Sequence, residues 1–171
     1  ISKICKKNKI HLIEDAAHST GATYKNRKIG SHGDLVCFSF HPVKNLAMPT
    51  GGLIAINSKN YKKIEKTLKE KRWCGITNRK GANYDVKNIG WNYYMNEFSA
   101  AIGLEQLKKL NHTNNRRKEI AKTYSQKILT EKKMLFDNEC SYHFYWIRVK
   151  NREQFREKLL KKGIETGIHY K

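Results

Sequence analysis

The chain has 171 residues, 39% hydrophobic and 29% charged, which suits a globular protein with a buried core. No apolar run approaches the ~18 residues needed to cross a bilayer as a helix. Thirty-five Lys and Arg against fifteen Asp and Glu give a net charge of +20, yet the cations are scattered rather than gathered into a block with exposed aromatics, so a solvated basic coat accounts for them better than a nucleic-acid-binding module does.

In chain order, residues 2–9 read as a helix end and residues 11–14 as a short apolar strand, followed by the small-residue run Asp15-Ala16-Ala17-His18-Ser19-Thr20-Gly21-Ala22. The sequence does not open on Met or on a charged-then-apolar leader. Its first residues read as the middle of a helix and its last as the middle of a strand, so both ends are expected to be cut. Residues 34–40 form an almost wholly apolar run, the pattern of a strand buried on both faces, and residues 51–57 form another. A basic helix is expected over 59–72, where Tyr61, Ile64 and Leu68 recur at helical spacing, and a polar loop over 78–88. Residues 94–110 predict a strong helix whose apolar face holds Met95, Phe98, Ala101, Ile102, Leu104 and Leu107, continued by a charged amphipathic helix through Tyr124. A strand over 142–150, a helix over 152–162 capped by Gly163, and a strand over 164–170 complete the chain. Cys5, Cys37, Cys74 and Cys140 lie far apart, without metal-ligand or redox spacing, which fits reduced thiols in a cytoplasmic protein.

Buried strands alternating with helices predict an α/β domain with a mostly parallel sheet, with a domain boundary near residues 110–125. Ligands in such sheets sit at the carboxyl ends of the strands, here Asp15 and the segment Ser39 to Lys44. An acid after a strand is ordinarily a turn or cap residue, and a lysine in a loop is ordinarily solvated. Together they match what pyridoxal phosphate (PLP) requires: a lysine amine for the Schiff base and a carboxylate that keeps the pyridine nitrogen protonated. The hydroxyl of Ser39 is placed to hold the phosphate.

Five motifs in register carry a resemblance. Ile13 to Ala22, Gly30-Ser31-His32-Gly33-Asp34, Phe38-Ser39-Phe40-His41-Pro42-Val43-Lys44, Gly51-Gly52, and Gly90-Trp91-Asn92-Tyr93-Tyr94-Met95-Asn96-Glu97 resemble the DegT-type (DegT/StrS) nucleotide-sugar aminotransferase family. Arg117, Ala121 and Tyr124 continue the likeness, and Gly163-Ile164 with His169-Tyr170 resembles the family's C-terminal domain. The resemblance implies the aspartate-aminotransferase-like (fold type I) architecture of PLP-dependent transferases. Residues 1–115 would be the C-terminal half of the large PLP-binding domain and residues 116–171 the start of the small α+β domain. It implies a homodimer in which Lys44 binds PLP covalently and moves the proton, Asp15 meets the pyridine nitrogen, His18 lies beside the ring near its phenolic oxygen, Ser39 binds the phosphate, and Asn92 reaches the partner's cofactor. The implied reaction moves an amino group from an amino acid, glutamate as donor, to a nucleotide-linked keto-sugar. Family chains carry about another domain's worth of residues ahead of this point, so this stretch alone is expected to be inactive.

Two positions depart from the family pattern: Pro49-Thr50-Gly51-Gly52 lacks the acid common after the lysine, and Tyr94 stands where arginine is common. Three rivals remain. A PLP sugar dehydratase of the same family would carry histidine in place of Lys44. A non-catalytic or regulatory homologue would not need Lys44, Asp15 and Ser39 together. A nucleic-acid-binding module would show binding that weakens steeply with salt.

Overall fold

The computed structural model describes residues 1–170; Lys171, the last residue of the expected small-domain segment 116–171, lies outside the described residues. After helix α1 (Ser2–Lys7), strand β1 (Ile13–Asp15) enters a three-stranded sheet with β4 (Leu35–Ser39) and β5 (Gly52–Ile56), in the order β1-β4-β5. β1 and β4 are parallel, with Asp15 opposite Cys37, whereas β4 and β5 are antiparallel, with Ser39 opposite Gly52. The expectation of a mostly parallel sheet is therefore corrected to a mixed one. A parallel return needs a long crossover, usually a helix. The connection 40–51 contains none and folds back on itself through Phe40 N–H to Gly51 O (2.9 Å) and Met48 N–H to Phe40 O (2.8 Å).

The β4 run is less enclosed than its composition suggests. Val36 is fully buried, but Ile13 on β1 and Leu53 and Ile54 on β5 are exposed. Apolar composition reports what a strand tolerates, while burial requires an element packed over the face.

Between β1 and β4 the chain forms a small hairpin, β2 (Thr23–Tyr24) with β3 (Arg27–Lys28), missed at the sequence level. Its two loop residues, Lys25 and Asn26, both have positive φ (51° and 61°), the geometry of a type I′ turn. The Glu139 carboxylate accepts both of their amides, from Asn26 at 2.7 Å and Lys25 at 3.0 Å.

Helix α2 (Tyr61–Arg72) matches its expected position. The expected polar loop 78–88 is instead largely a hairpin, β6 (Ile76–Lys80) with β7 (Asn83–Val86), closed by a two-residue turn at Gly81 (φ +59°). Ile76 faces Val86 and Thr77 faces Asp85 across it, but the polar run Asn78-Arg79-Lys80 offers no period-2 alternation for a strand assignment.

Helix α3 runs unbroken from Glu97 to Lys127, across residue 115. Its N-cap is Asn96, whose side-chain oxygen accepts the Ser99 amide at 2.8 Å. The helix buries a stripe of Ser99, Gly103, Leu110, Asn114 and Ala121, while Phe98, Ile102, Leu104 and Leu107 of the expected core face are exposed. The small residues allow close approach. A Cβ at Gly103 would sit 2.7 Å from the Met48 sulfur, and Met48 joins Leu46 and Leu110 in the main apolar cluster, with Phe40 and Met95 packed against it.

Past α3 the expected strand 142–150 does not form; only a bridge between Lys133 and Ile147 is present, with Met134 N–H to Trp146 O (2.9 Å) and Arg148 N–H to Lys132 O (2.7 Å) around it. Helix α4 (Arg152–Leu160) ends as anticipated on Gly163 (φ +75°), with Ile164 N–H bonded to Leu159 O and Gly163 N–H to Leu160 O. The expected strand over 164–170 is also absent. Both segments have strand-like composition, but a strand exists only where a neighbour supplies the ladder. Tyr142 instead stacks on Phe136 and Phe144 on His169, with Phe144 edge-on to His18 and His143. No helix among the described residues is long and apolar enough to cross a membrane.

Candidate active site

Neighbouring ends of β1 and β4 set the candidate groups. β1 stops at Asp15 because the chain turns: Asp15 Oδ1 accepts the Ala17 amide at 2.9 Å, a local side-chain-to-backbone bond that competes with the ladder. The carboxylate stands exposed at the strand end. The turn then carries His18, half-buried, and closes at Gly21 (φ +84°). At the end of β4 the Ser39 hydroxyl oxygen accepts the His41 amide at 3.3 Å, and Lys44 N–H bonds to His41 O at 2.8 Å. Lys44 is half-buried, and among the described residues its ammonium makes no hydrogen bond or salt bridge.

The electrostatics tie these groups together. Burial lowers the His18 pKa most; the Lys44 charge lowers it further, the Asp15 carboxylate opposes the fall, and His169 adds to it. Charge effects of this kind fade with separation, so Lys44 and Asp15 both act on one imidazole. His18 in turn stacks on His143, with ring centroids 4.2 Å apart. His143 is pushed down to about 4, first by burial and then by His18, Lys44, Arg117 and His169. The site therefore holds two imidazoles biased toward neutrality beside a free ammonium and an exposed carboxylate.

Of the residues expected from sequence, Asp15 and Ser39 stand at the ends of paired strands, and His18 is linked to the Lys44 loop through His143, which stacks on its ring and meets Asn45. The structure does not bring Asn92 to them. Asn92 bridges to Trp73 at the end of α2, flanked by Cys74 N–H to Trp91 O and Tyr93 N–H to Arg72 O, each 2.9 Å, and its side chain is exposed. Sequence reading missed Asn45, Asn114, Ser141 and His143, which are linked by hydrogen bonds behind the Lys44 and His18 loops. Adjacency to Lys44 was the one available signal for Asn45. His143 sat in a segment assigned to a strand, and nothing local joins residues so far apart.

Two open clefts lie elsewhere. One of about 420 Å³ runs between α2 and β6 beside Trp73, and one of about 460 Å³ lies under α1 beside Asp34 and Asn57. Neither contains a candidate residue, and side-chain chemistry rather than concavity locates the site, because its groups stand at the surface of the described residues.

Comparison with known proteins follows the same lines. The family model of the DegT/DnrJ/EryC1/StrS aminotransferases matches residues 1–171. The UDP-4-amino-4,6-dideoxy-N-acetyl-beta-L-altrosamine transaminase of Campylobacter jejuni (serotype O:2) is 38% identical over 183 aligned residues, covering 100% of this chain and 47% of that protein. Among solved structures, Helicobacter pylori PseC, an aminotransferase involved in the biosynthesis of pseudoaminic acid, superimposes with a TM-score of 0.88 at 30% identity, covering 100% of this chain and 48% of that one. Spr1654 from Streptococcus pneumoniae, described as a sugar aminotransferase and solved in its PLP form, matches with a TM-score of 0.86 at 28% identity, covering 99% of this chain and 46% of that one. The chain thus spans about half the length of the relatives it matches, and its fold is that of the sugar aminotransferases.

Proposed function

We propose, from the premise that this chain belongs to the DegT/DnrJ/EryC1/StrS aminotransferase family, that the whole protein transfers an amino group from an amino acid, with glutamate as donor, to a keto-sugar carried on a nucleoside diphosphate. What supports this reading is that Asp15 and the Lys44 loop leave the ends of two paired strands, with His18 between them tied to the Lys44 loop by the His143 stack and the His143–Asn45 contact. The donor set fits PLP. Lys44 has no competing partner among the described residues, only one carboxylate oxygen of Asp15 is used by the turn, and the Ser39 oxygen accepts from His41, leaving its proton for a phosphate.

When bound, PLP supplies an electron-accepting ring that steadies the charge left when a carbon loses its proton. This chain's residues do the rest. Lys44 would hold the cofactor through its amine and, once displaced by the amine of the donor, would be free to move a proton as general acid and base. Asp15 keeps a proton on the ring nitrogen by charge. Ser39 anchors the phosphate. His18, held toward its neutral form by burial and by Lys44, lies beside the ring without adding a second positive charge. In this reading residues 1–115 belong to the large PLP-binding domain and residues 116–171 begin the small one, the protein is cytoplasmic and a homodimer, and exposed Asn92 serves the partner's site rather than its own.

The test is covalent. The whole protein mixed with PLP and reduced with borohydride should carry the cofactor on Lys44 by peptide mass spectrometry, and Lys44→Ala should carry none. A label on another lysine, or none in the wild type, would overturn the assignment.

A further inference from the structure

Lys44 is followed by a residue with no freedom at all. Asn45 is buried, 8% exposed. Its Nδ2 donates both protons, to Asn114 Oδ1 at 2.9 Å and to Ser141 O at 2.7 Å, while its Oδ1 lies 3.2 Å from His143 Nδ1. The orientation of each amide is determined by the one before it. Thr20 O can only accept, so Asn114 presents Nδ2 to it at 3.0 Å and turns Oδ1 toward Asn45. Asn45 must then donate to Asn114 and to the Ser141 carbonyl, which leaves its oxygen for His143 and puts the imidazole proton on Nδ1. Flipping the Asn45 amide would set its oxygen against two acceptors. Meanwhile the Ser141 hydroxyl donates to His18 O at 3.2 Å, and His143 stacks on the His18 ring at 4.2 Å.

The network therefore clamps two loops to one another. The loop with Asp15 and His18 is held at Thr20 by Asn114 of α3 and at His18 by Ser141. The loop with Lys44 is held through Asn45 by the same two residues and by His143. Both strand-end loops share one set of anchors, so neither shifts relative to the other without breaking a bond to Asn114, Ser141 or His143.

We propose that Asn45 and His143 are positioning residues: Asn45 fixes the backbone from which Lys44 projects, and His143 fixes the plane of His18, so that amine and imidazole keep a set spacing. This role rests on the aminotransferase reading. It has a consequence even without cofactor, because the surroundings of the Lys44 amine depend on that spacing.

The experiment uses the whole protein free of PLP and measures the acylation rate of Lys44 by trace acetic anhydride, with exposed Lys59 as internal reference. Asn45→Ala and His143→Phe should each change the Lys44-to-Lys59 rate ratio by about threefold, equivalent to about 0.65 kcal/mol in the acylation barrier. His143→Phe keeps a stacked ring and loses both ring nitrogens, the Nδ1 donor to Asn45 among them, so it decides the matter if Asn45→Ala fails to fold. A merely structural role would lower the melting temperature and leave the ratio unchanged, and that result overturns the proposal. The arms separate the two claims. A wild type that takes up no PLP overturns the functional reading and the role with it, whereas an unchanged ratio in a PLP-binding protein overturns the role alone.

Discussion

Gly103 sets two effects of similar size against each other. It lies inside α3, where replacing glycine by alanine ordinarily gains about 1 kcal/mol of helix propensity. It is also buried against the core. A Cβ there would stand 2.7 Å from Met48 Sδ, 2.9 Å from Cε and 3.2 Å from Cγ. A methionine end normally swings aside, but Met48 is 4% exposed and packed with Leu46, Leu110, Phe40 and Met95. Overpacking of this kind costs about 1–3 kcal/mol, so the clash wins and Gly103→Ala should destabilise by about 1 kcal/mol net. In a Met48→Ala background, which itself costs about 2–5 kcal/mol, the obstruction is gone and the same substitution should stabilise by about 1 kcal/mol. The double-mutant cycle would then show a coupling of about 2 kcal/mol. Urea unfolding of the PLP-free whole protein, followed by tryptophan fluorescence, measures all four corners. If Gly103→Ala stabilises the wild type, or if its effect keeps one sign in both backgrounds, the close approach of α3 to the loop after Lys44 is wrong.

His143 should make stability fall in acid. Its pKa, about 4 in the folded protein against 6.5 when unperturbed, means the unfolded chain binds the extra proton between those values. Its contribution is intact above about pH 6.5 and is lost as pH drops toward 4, costing about 1–2 kcal/mol once solvent screening of a half-buried ring is allowed for. Comparing unfolding free energies at about pH 7.5 and about pH 4.5, His143→Phe should lose less stability than the wild type, and parallel losses would contradict the shift. Asn96→Ala removes the bond to the Ser99 amide and should cost about 1 kcal/mol; faster amide exchange confined to the first turn of α3 identifies the cap as the cause.

The parts of the fold legible in the sequence are those with a local cause. α2 and α3 announce themselves by helical spacing, and the Gly163 stop on α4 needs only a positive φ. Asp15 and Lys44 stand out because each follows an apolar strand and each carries a charge there. Other features escaped because their cause is distant. β5 runs antiparallel because of what the 40–51 loop lacks, a helix, rather than because of its own residues. Residues 142–150 have the composition of a strand, but residues 132–134 offer them only a single bridge at Ile147 and no continuous ladder. On α3 the apolar face expected from periodicity is exposed, since contact distance there is decided by Gly103 and Met48 rather than by the largest side chains. Asn45 and His143 are ordinary letters until Asn114 and Ser141, contributed by α3 and the segment beyond it, come to rest beside them.

That contrast bears on how the site is kept in shape. The apolar contacts here are modest: Phe98, Leu104 and Leu107 of α3 and Leu53 and Ile54 of β5 are exposed, and dispersion contacts are non-directional in any case. Around Lys44 and His18 the fixing groups are instead buried amides and a hydroxyl, Asn45, Asn114 and Ser141. A buried amide left unpaired costs about 1–3 kcal/mol, so each wrong orientation is penalised individually and the penalties propagate along the chain of donors and acceptors. Packing admits many nearly equal arrangements of a loop, whereas a directional network admits one. A lysine that must meet a ring at a defined angle gains more from the second kind of support. The loops that carry the chemistry can therefore hold their geometry through polar contacts even where the flanking apolar faces lie open.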